Sequence, residues 1–82
     1  MSEWTTHTPD GRPLRVRREQ GAWAAQCGDG TEARSDLLDV ALIEAVRADA
    51  AVVGHAPRTD YGAWVRVQAD RIERDLRDQG GA

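Results

Sequence analysis

The sequence predicts an α+β fold, in which a three- to four-stranded antiparallel β-meander is covered by one helix and followed by a second, charged helix. Residues 3–34 hold two turn signals between stretches that alternate apolar and polar residues. Residues 35–50 repeat apolar residues at helical spacing, and residues 60–79 carry a narrow apolar stripe among charges. These patterns predict one domain over residues 1–82, with a connector at residues 51–59.

The two turns set the register of the predicted meander. The Thr-Pro-Asp-Gly tetrapeptide at residues 8–11 suits a type I turn, because proline presets φ and glycine tolerates the positive φ that follows. The Gln-Gly pair at residues 20–21 suits a two-residue hairpin loop. Side chains alternate along a strand, so both turns select the same apolar face. That face comprises Trp4, Thr6, Leu14, Val16, Trp23, Ala25 and Cys27. A short edge strand over residues 31–34 is expected to follow, with Ala33 beside Ala25.

Charged residues dominate the opposite face of the predicted sheet. This face comprises Glu3, Thr5, Arg15, Arg17, Glu19 and Gln26. Arginines on a strand can contact a nucleic-acid backbone, and the candidates are Arg12, Arg15 and Arg17. The interleaved glutamates, and the lack of an aromatic residue on this face, favour instead a solvated surface of cross-strand ion pairs.

The run SDLLDVALIEAVRADA at residues 35–50 predicts the first helix. Ser35 is expected to cap it, because a serine hydroxyl accepts a hydrogen bond from a backbone N–H two or three residues on. One broad apolar face comprises Leu37, Leu38, Ala41, Leu42, Ala45, Val46 and Ala48. We expect this face to lie across the apolar side of the sheet. Val40 and Ile43 fall on the back of the helix and indicate a second contact.

Residues 60–79 predict the second helix. Its apolar stripe comprises Tyr61, Val65, Ala69, Ile72 and Leu76. A narrow stripe suits packing on another helix, either the back of the first helix or the same helix in a second copy of the chain, so a homodimer is expected. Residues 63–69 also alternate well enough to form a strand, and that alternative stays open. In the connector, Val52 and Val53 are expected to add a short strand or to dock apolar surface.

Length and charge narrow the class of function. A chain of 82 residues builds a thin core, to which a second copy would add buried area. The net charge of −3, with arginine but no lysine, argues against broad attraction to nucleic acid or to an anionic membrane. The sequence shows neither a signal-peptide pattern nor a run of about 20 apolar residues. Its single cysteine suits a reducing compartment, so a cytoplasmic protein is expected.

Few residues could support metal or catalytic chemistry. The candidates are His7, Cys27, Asp29, Glu32 and His55. None of the HxxE, HxxxH or CxxC spacings typical of metal ligands relates them. A thiol on an apolar face behaves as a small hydrophobe, and no base is spaced to activate it. The sequence therefore predicts no catalytic residue, no metal site and no cofactor, and a protein that is not an enzyme.

Apolar residues outside the predicted core indicate a surface for a protein partner. Burial in the core is favoured for Trp64 beside Tyr61, and the alternative is an exposed aromatic anchor of a kind enriched at interface hot spots. Val67 lies off the stripe nearby, and Val40 and Ile43 complete the set. We therefore expect a non-catalytic interaction or regulatory module that binds a protein partner as a dimer. Nucleic-acid binding by the arginines of the outer sheet face is the alternative function.

A family resemblance runs over residues 15–46. This stretch has a strand ending at Gly21, a strand with Trp23 and small residues, an acidic loop, and a helix with Ala-Leu at residues 41–42 and a later Ala45. In this order it resembles the small HicB-type antitoxins. The resemblance implies an α+β fold and an antitoxin-like interaction with a protein. The acidic loop is shorter than is usual in that family, and no ribbon-helix-helix or helix-turn-helix pattern follows it.

Overall fold

In the computed structural model, which describes residues 2–54 and 61–80, four antiparallel strands form one sheet that packs against two helices. The elements are β1 (Ser2–His7), β2 (Pro13–Glu19), β3 (Ala22–Cys27), β4 (Ala33–Ser35), α1 (Leu38–Val53) and α2 (Tyr61–Gly80). The strands neighbour one another in the order β1-β2-β3-β4, which is a simple meander. The predicted α+β class is confirmed.

Both predicted turns form, and they give the predicted register. The N–H of Gly11 donates to the carbonyl of Thr8 at 2.8 Å, and Gly11 has a φ of 84°. Gln20 and Gly21, with φ of 49° and 80°, close the second hairpin. The expected cross-strand pairs are present: Glu3–Arg17, Trp4–Val16, Thr6–Leu14, Leu14–Cys27, Val16–Ala25 and Ala25–Ala33. The edge strand is β4, two residues later than the predicted residues 31–34 at its start and one residue later at its end.

The core lies between the apolar face of the sheet and the two helices. On the sheet it comprises Leu14, Val16, Trp23, Ala25 and Cys27, and on α1 it comprises Leu38, Ala41, Leu42, Ala45 and Val46. Trp4 is half-buried and packs on Trp23, with 5.7 Å between the ring centroids. Burying one large aliphatic side chain stabilises a fold by about 1.5–3 kcal/mol, so the few large residues here carry much of the stability.

The first helix begins later than predicted. Ser35 does not cap it but pairs with Trp23 as the last residue of β4. The Ser35 hydroxyl accepts a hydrogen bond from the Leu37 N–H at 3.1 Å, which bends the chain between strand and helix. Helical geometry starts only at Leu38, because the preceding residues are held in the sheet and its exit turn. Within the described residues, no side chain caps this end of α1.

The same helix also ends later than predicted. α1 continues to Val53, and Gly54 follows in the left-handed conformation with a φ of 85°, where its N–H donates to the carbonyl of Ala50. A glycine in that conformation is a common helix stop. The predicted connector at residues 51–59 therefore starts inside the helix, and Val52 and Val53 are exposed helical residues rather than a strand or a docked segment. The rest of that connector, residues 55–60, lies outside the described residues.

The second helix forms as predicted, and the strand alternative for residues 63–69 is wrong. Val65, Ala69 and Ile72 are buried, while Tyr61 and Leu76 are half-buried against the core. The stripe thus closes the core of its own chain. It is not left free for the same helix of a second copy.

Two long-range contacts fix the direction of α2. At its start, the hydroxyl of Tyr61 donates to Asp10 Oδ2 at 2.7 Å, beside the first turn. Near its end, Nε1 of Trp4 donates to Asp75 Oδ2 at 2.6 Å. α2 therefore runs antiparallel to β1, while α1 covers β3 and β4. Across residues 2–54 and 61–80, neither helix is long and apolar enough to span a membrane.

Candidate functional site

A buried carboxylate joins α1 to the two loops at one end of the sheet. Asp49 is only 3% exposed. Its two oxygens accept hydrogen bonds from Nε and Nη2 of Arg12 at 2.9 and 3.0 Å. They also accept from the backbone N–H of Asp29 at 3.1 Å and from the thiol of Cys27 at 3.6 Å. We call these four residues the Asp49 cluster.

Two glycines let the β3–β4 loop approach that carboxylate. A Cβ atom on Gly28 would lie 2.4 Å from Asp49 Oδ1, and Gly28 has a positive φ of 51°. A Cβ atom on Gly30 would lie 2.5 Å from the backbone nitrogen of Asp49. The Gly-Asp-Gly sequence at residues 28–30 is therefore a close-packing loop that folds onto the helix.

The electrostatics of the Asp49 cluster make it a structural tie. The hydrogen bond from Arg12 holds the pKa of the Asp49 carboxyl below its usual value. Burial, together with the negative charge of Asp49, raises the pKa of the Cys27 thiol to about 12. Cys27 is thus a protonated donor to Asp49 at neutral pH and a poor nucleophile. The Arg12 guanidinium is engaged by the same carboxylate, so it does not point freely from the sheet as a nucleic-acid contact.

On the outer sheet face, two arginines and two glutamates neutralise one another. Arg17 lies 3.0 Å from Glu19 and 2.6 Å from Glu32, and Arg34 lies 3.2 Å from Glu32 and 3.9 Å from Glu19. Arg17–Glu19 and Arg34–Glu32 join residues two apart in the chain, while Arg17–Glu32 and Arg34–Glu19 link β2 to the segment of β4. The outer face is therefore ion-paired, as the sequence favours. Among the three arginines named for nucleic acid, Arg15 alone stands outside the described ion pairs.

The aromatic residues at the start of α2 are partly committed to the core. Tyr61 and Trp64 are half-buried and meet edge to face, with 5.8 Å between their ring centroids. Val67, one turn further along, is 56% exposed. The start of α2 therefore presents to solvent the side chain of Val67 and the outer parts of the Tyr61 and Trp64 rings.

The structure separates the predicted partner surface into two places. Val40 and Ile43 are half-buried in the first half of α1, and Ile43 packs against the core. The Asp49 cluster puts the other end of α1 beside the turns at residues 8–11 and 28–30. Tyr61, at the start of α2, lies beside the same turns, so the two helices are antiparallel. Val40 and Ile43 are therefore at the opposite end of the helix pair from Tyr61, and the five predicted residues do not form one patch.

A groove that no sequence pattern predicts lies between β1 and α2. Its volume is about 440 Å³. It is lined by Trp4, Thr5 and Thr6 of β1 and by Gln68, Arg71, Ile72, Arg74, Asp75 and Asp78 of α2. The groove exists because α2 runs antiparallel alongside the outermost strand of the sheet, a placement that no local sequence pattern specifies.

The residues considered for metal binding are dispersed. Cys27 and Asp29 belong to the Asp49 cluster, Glu32 is paired with arginines, and His7 ends β1. His55 lies outside the described residues. Over residues 2–54 and 61–80, no three His, Cys, Asp or Glu side chains are grouped so that they could hold a metal ion.

Sequence reasoning missed Asp49, although a signal for it was present. By helical spacing it falls on the apolar face of α1, following Leu38, Leu42 and Ala45 at intervals of four, three and four. A carboxylate at such a position needs a buried partner, and Arg12 is that partner.

Comparison with known proteins adds no family, since no family model, no curated protein and no solved structure matches this chain.

Proposed function

We propose that this protein is a non-catalytic, antitoxin-like interaction module of the cytoplasm, which works as a homodimer and binds a protein partner through the start of α2. The observation that carries the proposal is the 56% exposure of Val67 beside the partly exposed rings of Tyr61 and Trp64. The core already uses the apolar stripe of α2, so Val67 contributes nothing to closing it.

The chemistry of this patch supports a protein partner. Aromatic rings held in place by a core and edged by an aliphatic side chain are typical of interface hot spots, because little side-chain entropy is lost on binding. Tyr61 is held by its bond to Asp10, and Trp64 is held by its contact with Tyr61. Val40 and Ile43 would form a separate, second contact in the first half of α1.

The charges of the outer sheet face favour a protein partner over nucleic acid. Arg12 bonds to Asp49, and Arg17 bonds to Glu19 and Glu32. A phosphate would have to displace these carboxylates, and the chain as a whole carries a net charge of −3. Arg15 by itself offers one contact.

The test is photo-crosslinking in the cells that make the protein. A photoreactive phenylalanine analogue replaces Val67 in one variant and the exposed Glu44 of α1 in a matched control. We expect a discrete adduct with a different protein at position 67 and none at position 44, and Trp64→Ala should reduce that adduct strongly.

Other results would contradict the proposal. If the only adduct at position 67 has the mass of two copies of the chain, Val67 faces a second copy. If no adduct forms at all, Val67 does not lie on a surface that binds a partner. Salt-dependent binding to RNA or DNA that is lost in Arg15→Ala with Arg17→Ala would support the nucleic-acid alternative instead.

A further inference from the structure

The two edges of the sheet differ in how they are protected. β4 is three residues long and carries the exposed Arg34, and a short, charged strand is a poor template for another chain. β1 is six residues long and contains no proline or glycine, and among residues 2–54 and 61–80 it is paired with a strand on one side only. An edge of that kind invites pairing unless something covers it.

Hydrogen bonding in the first hairpin shows which groups of β1 face outward. The Thr8 N–H donates to the Arg12 carbonyl at 2.8 Å. Because bonded and non-bonded pairs alternate along an antiparallel ladder, Thr6 and Trp4 also bond to β2. The N–H and C=O groups of Glu3, Thr5 and His7 therefore point away from the sheet.

The position of a proline agrees with this assignment. Pro13 lies opposite His7 and has no N–H to donate. Its carbonyl accepts from the Gly28 N–H at 2.8 Å, on the side of β3. Pro13 thus occupies a position whose N–H the β1–β2 ladder does not use, and the outward groups of His7 stay available.

We propose that the open edge of β1 pairs with β1 of a second copy, antiparallel about a two-fold axis at Thr5, and makes one eight-stranded sheet. The inference rests on the homodimer of the proposed function and assigns its interface. In this register Thr5 faces the Thr5 of the second copy, and Glu3 faces His7 across the interface in both directions. A carboxylate opposite an imidazole is a complementary pair, and the symmetry produces it twice.

The flank of α2 beside the groove suits the same occupant. It carries two cations and two anions, namely Arg71, Arg74, Asp75 and Asp78. A second α2 related by the two-fold axis runs antiparallel beside the first and presents the same balanced set of charges. A strongly acidic or strongly basic partner would leave half of these groups uncompensated. The half-buried Trp4 in the groove would gain cover from the second copy.

Disulfide trapping tests the register directly. In the proposed dimer, Thr5→Cys puts two cysteines opposite each other at a Cα separation of about 5.5 Å, within the range that a disulfide spans. In a glutathione redox buffer we expect cross-linked dimer to form at least about tenfold faster than for Gln26→Cys, because pairing raises the effective concentration of the two thiols. Gln26 is an exposed residue on the same outer face, in the interior strand β3, and it provides the matched control.

A second pair of variants tests the edge itself. Thr5→Pro removes an outward N–H that the β1–β2 ladder does not use, so the fold is expected to survive, as circular dichroism will show. By light scattering over a range of concentrations, we expect wild type and Thr5→Ala to be dimers and Thr5→Pro to be a folded monomer.

Two outcomes separate this inference from the proposed function. A Thr5→Pro protein that remains a dimer, with no preferential cross-link at position 5, overturns the β1 interface and leaves the proposed homodimer standing on another surface. A wild type that is monomeric at every concentration overturns the dimer and this inference together. The adduct at position 67 would then decide the partner-binding part of the proposal by itself.

Discussion

Arg12 and Asp49 are separated by 37 residues, and they form a two-pronged ion pair with N–O distances of 2.9 and 3.0 Å. Arg12 comes from the exit of the first turn, and Asp49 comes from the last part of α1. The pair therefore fixes the helix to the end of the sheet. Cys27 and the N–H of Asp29 occupy the remaining acceptor capacity of the carboxylate, so the buried charge is fully satisfied.

Loss of this charge should destabilise the fold. Asp49→Asn keeps the shape of the side chain but offers one acceptor oxygen where Arg12 now finds two, and we expect the free energy of unfolding to fall by about 2 kcal/mol in urea denaturation at pH 7. Asp29→Asn is the matched control. The Asp29 side chain is 82% exposed and 3.5 Å from Arg12, so its loss should matter little. If the two variants lowered the free energy of unfolding equally, the buried Arg12–Asp49 pair would not be a main source of stability.

The contribution of Asp49 to the free energy of unfolding also has a defined pH dependence. Its pKa is lowered in the folded state by the hydrogen bond from Arg12, so its stabilisation is present above the pKa of the unfolded state. It is lost as pH falls through the folded-state pKa. The difference in stability between wild type and Asp49→Asn should therefore be constant near neutrality and shrink below about pH 4. A difference that stays constant on acidification would contradict the assignment.

Because the thiol of Cys27 is buried, the protein should lose stability at alkaline pH. Burial raises its pKa from 9.0 to about 12, so the unfolded chain releases this proton at a lower pH than the folded chain does. Stability should fall as pH rises above 9, at a rate approaching about 1.4 kcal/mol per pH unit. Cys27→Ala should be less stable at pH 7 but should show a shallower decline between pH 9 and pH 10.5. Parallel curves for the two proteins would show that the thiol does not titrate in this way.

The stripe of α2 should act on stability, and Val67 should not. Ile72 is 5% exposed, and Ile72→Ala should cost about 2–4 kcal/mol in thermal or urea unfolding because it leaves a cavity between α2 and the sheet. Val67→Ala should change stability by less than about 0.5 kcal/mol. The oligomeric state should stay the same in both variants. A dimer that dissociates in Ile72→Ala without loss of monomer stability would place the stripe between two copies.

Local patterns were sufficient where neighbours in sequence decide the outcome. The turn at residues 8–11 and the Gln-Gly loop each fix a hairpin through their own φ angles, so the registers around Trp4 and Val16 could be predicted. The start of α1 could not be predicted, because pairing with Trp23 holds Ser35 in the sheet and removes the expected cap. The end of α1 was missed because residues 51–53 continue the helix up to the glycine stop at Gly54.

The sequence by itself determined the α+β class, the strand registers and the apolar face of the sheet. Each of these depends on side-chain period and turn geometry, which act over a few residues. Only the tertiary structure decided that residues 63–69 are helical, that Asp49 receives Arg12, that Arg17 is paired with Glu32, and that α2 lies along β1 and forms a groove with it. The Asp49–Arg12 pair and the groove depend on the direction in which the helices pack on the sheet, and that direction is set by contacts between residues far apart in the chain, such as Tyr61 with Asp10. The Arg17–Glu32 pair depends on where the segment before β4 places Glu32 on the outer face.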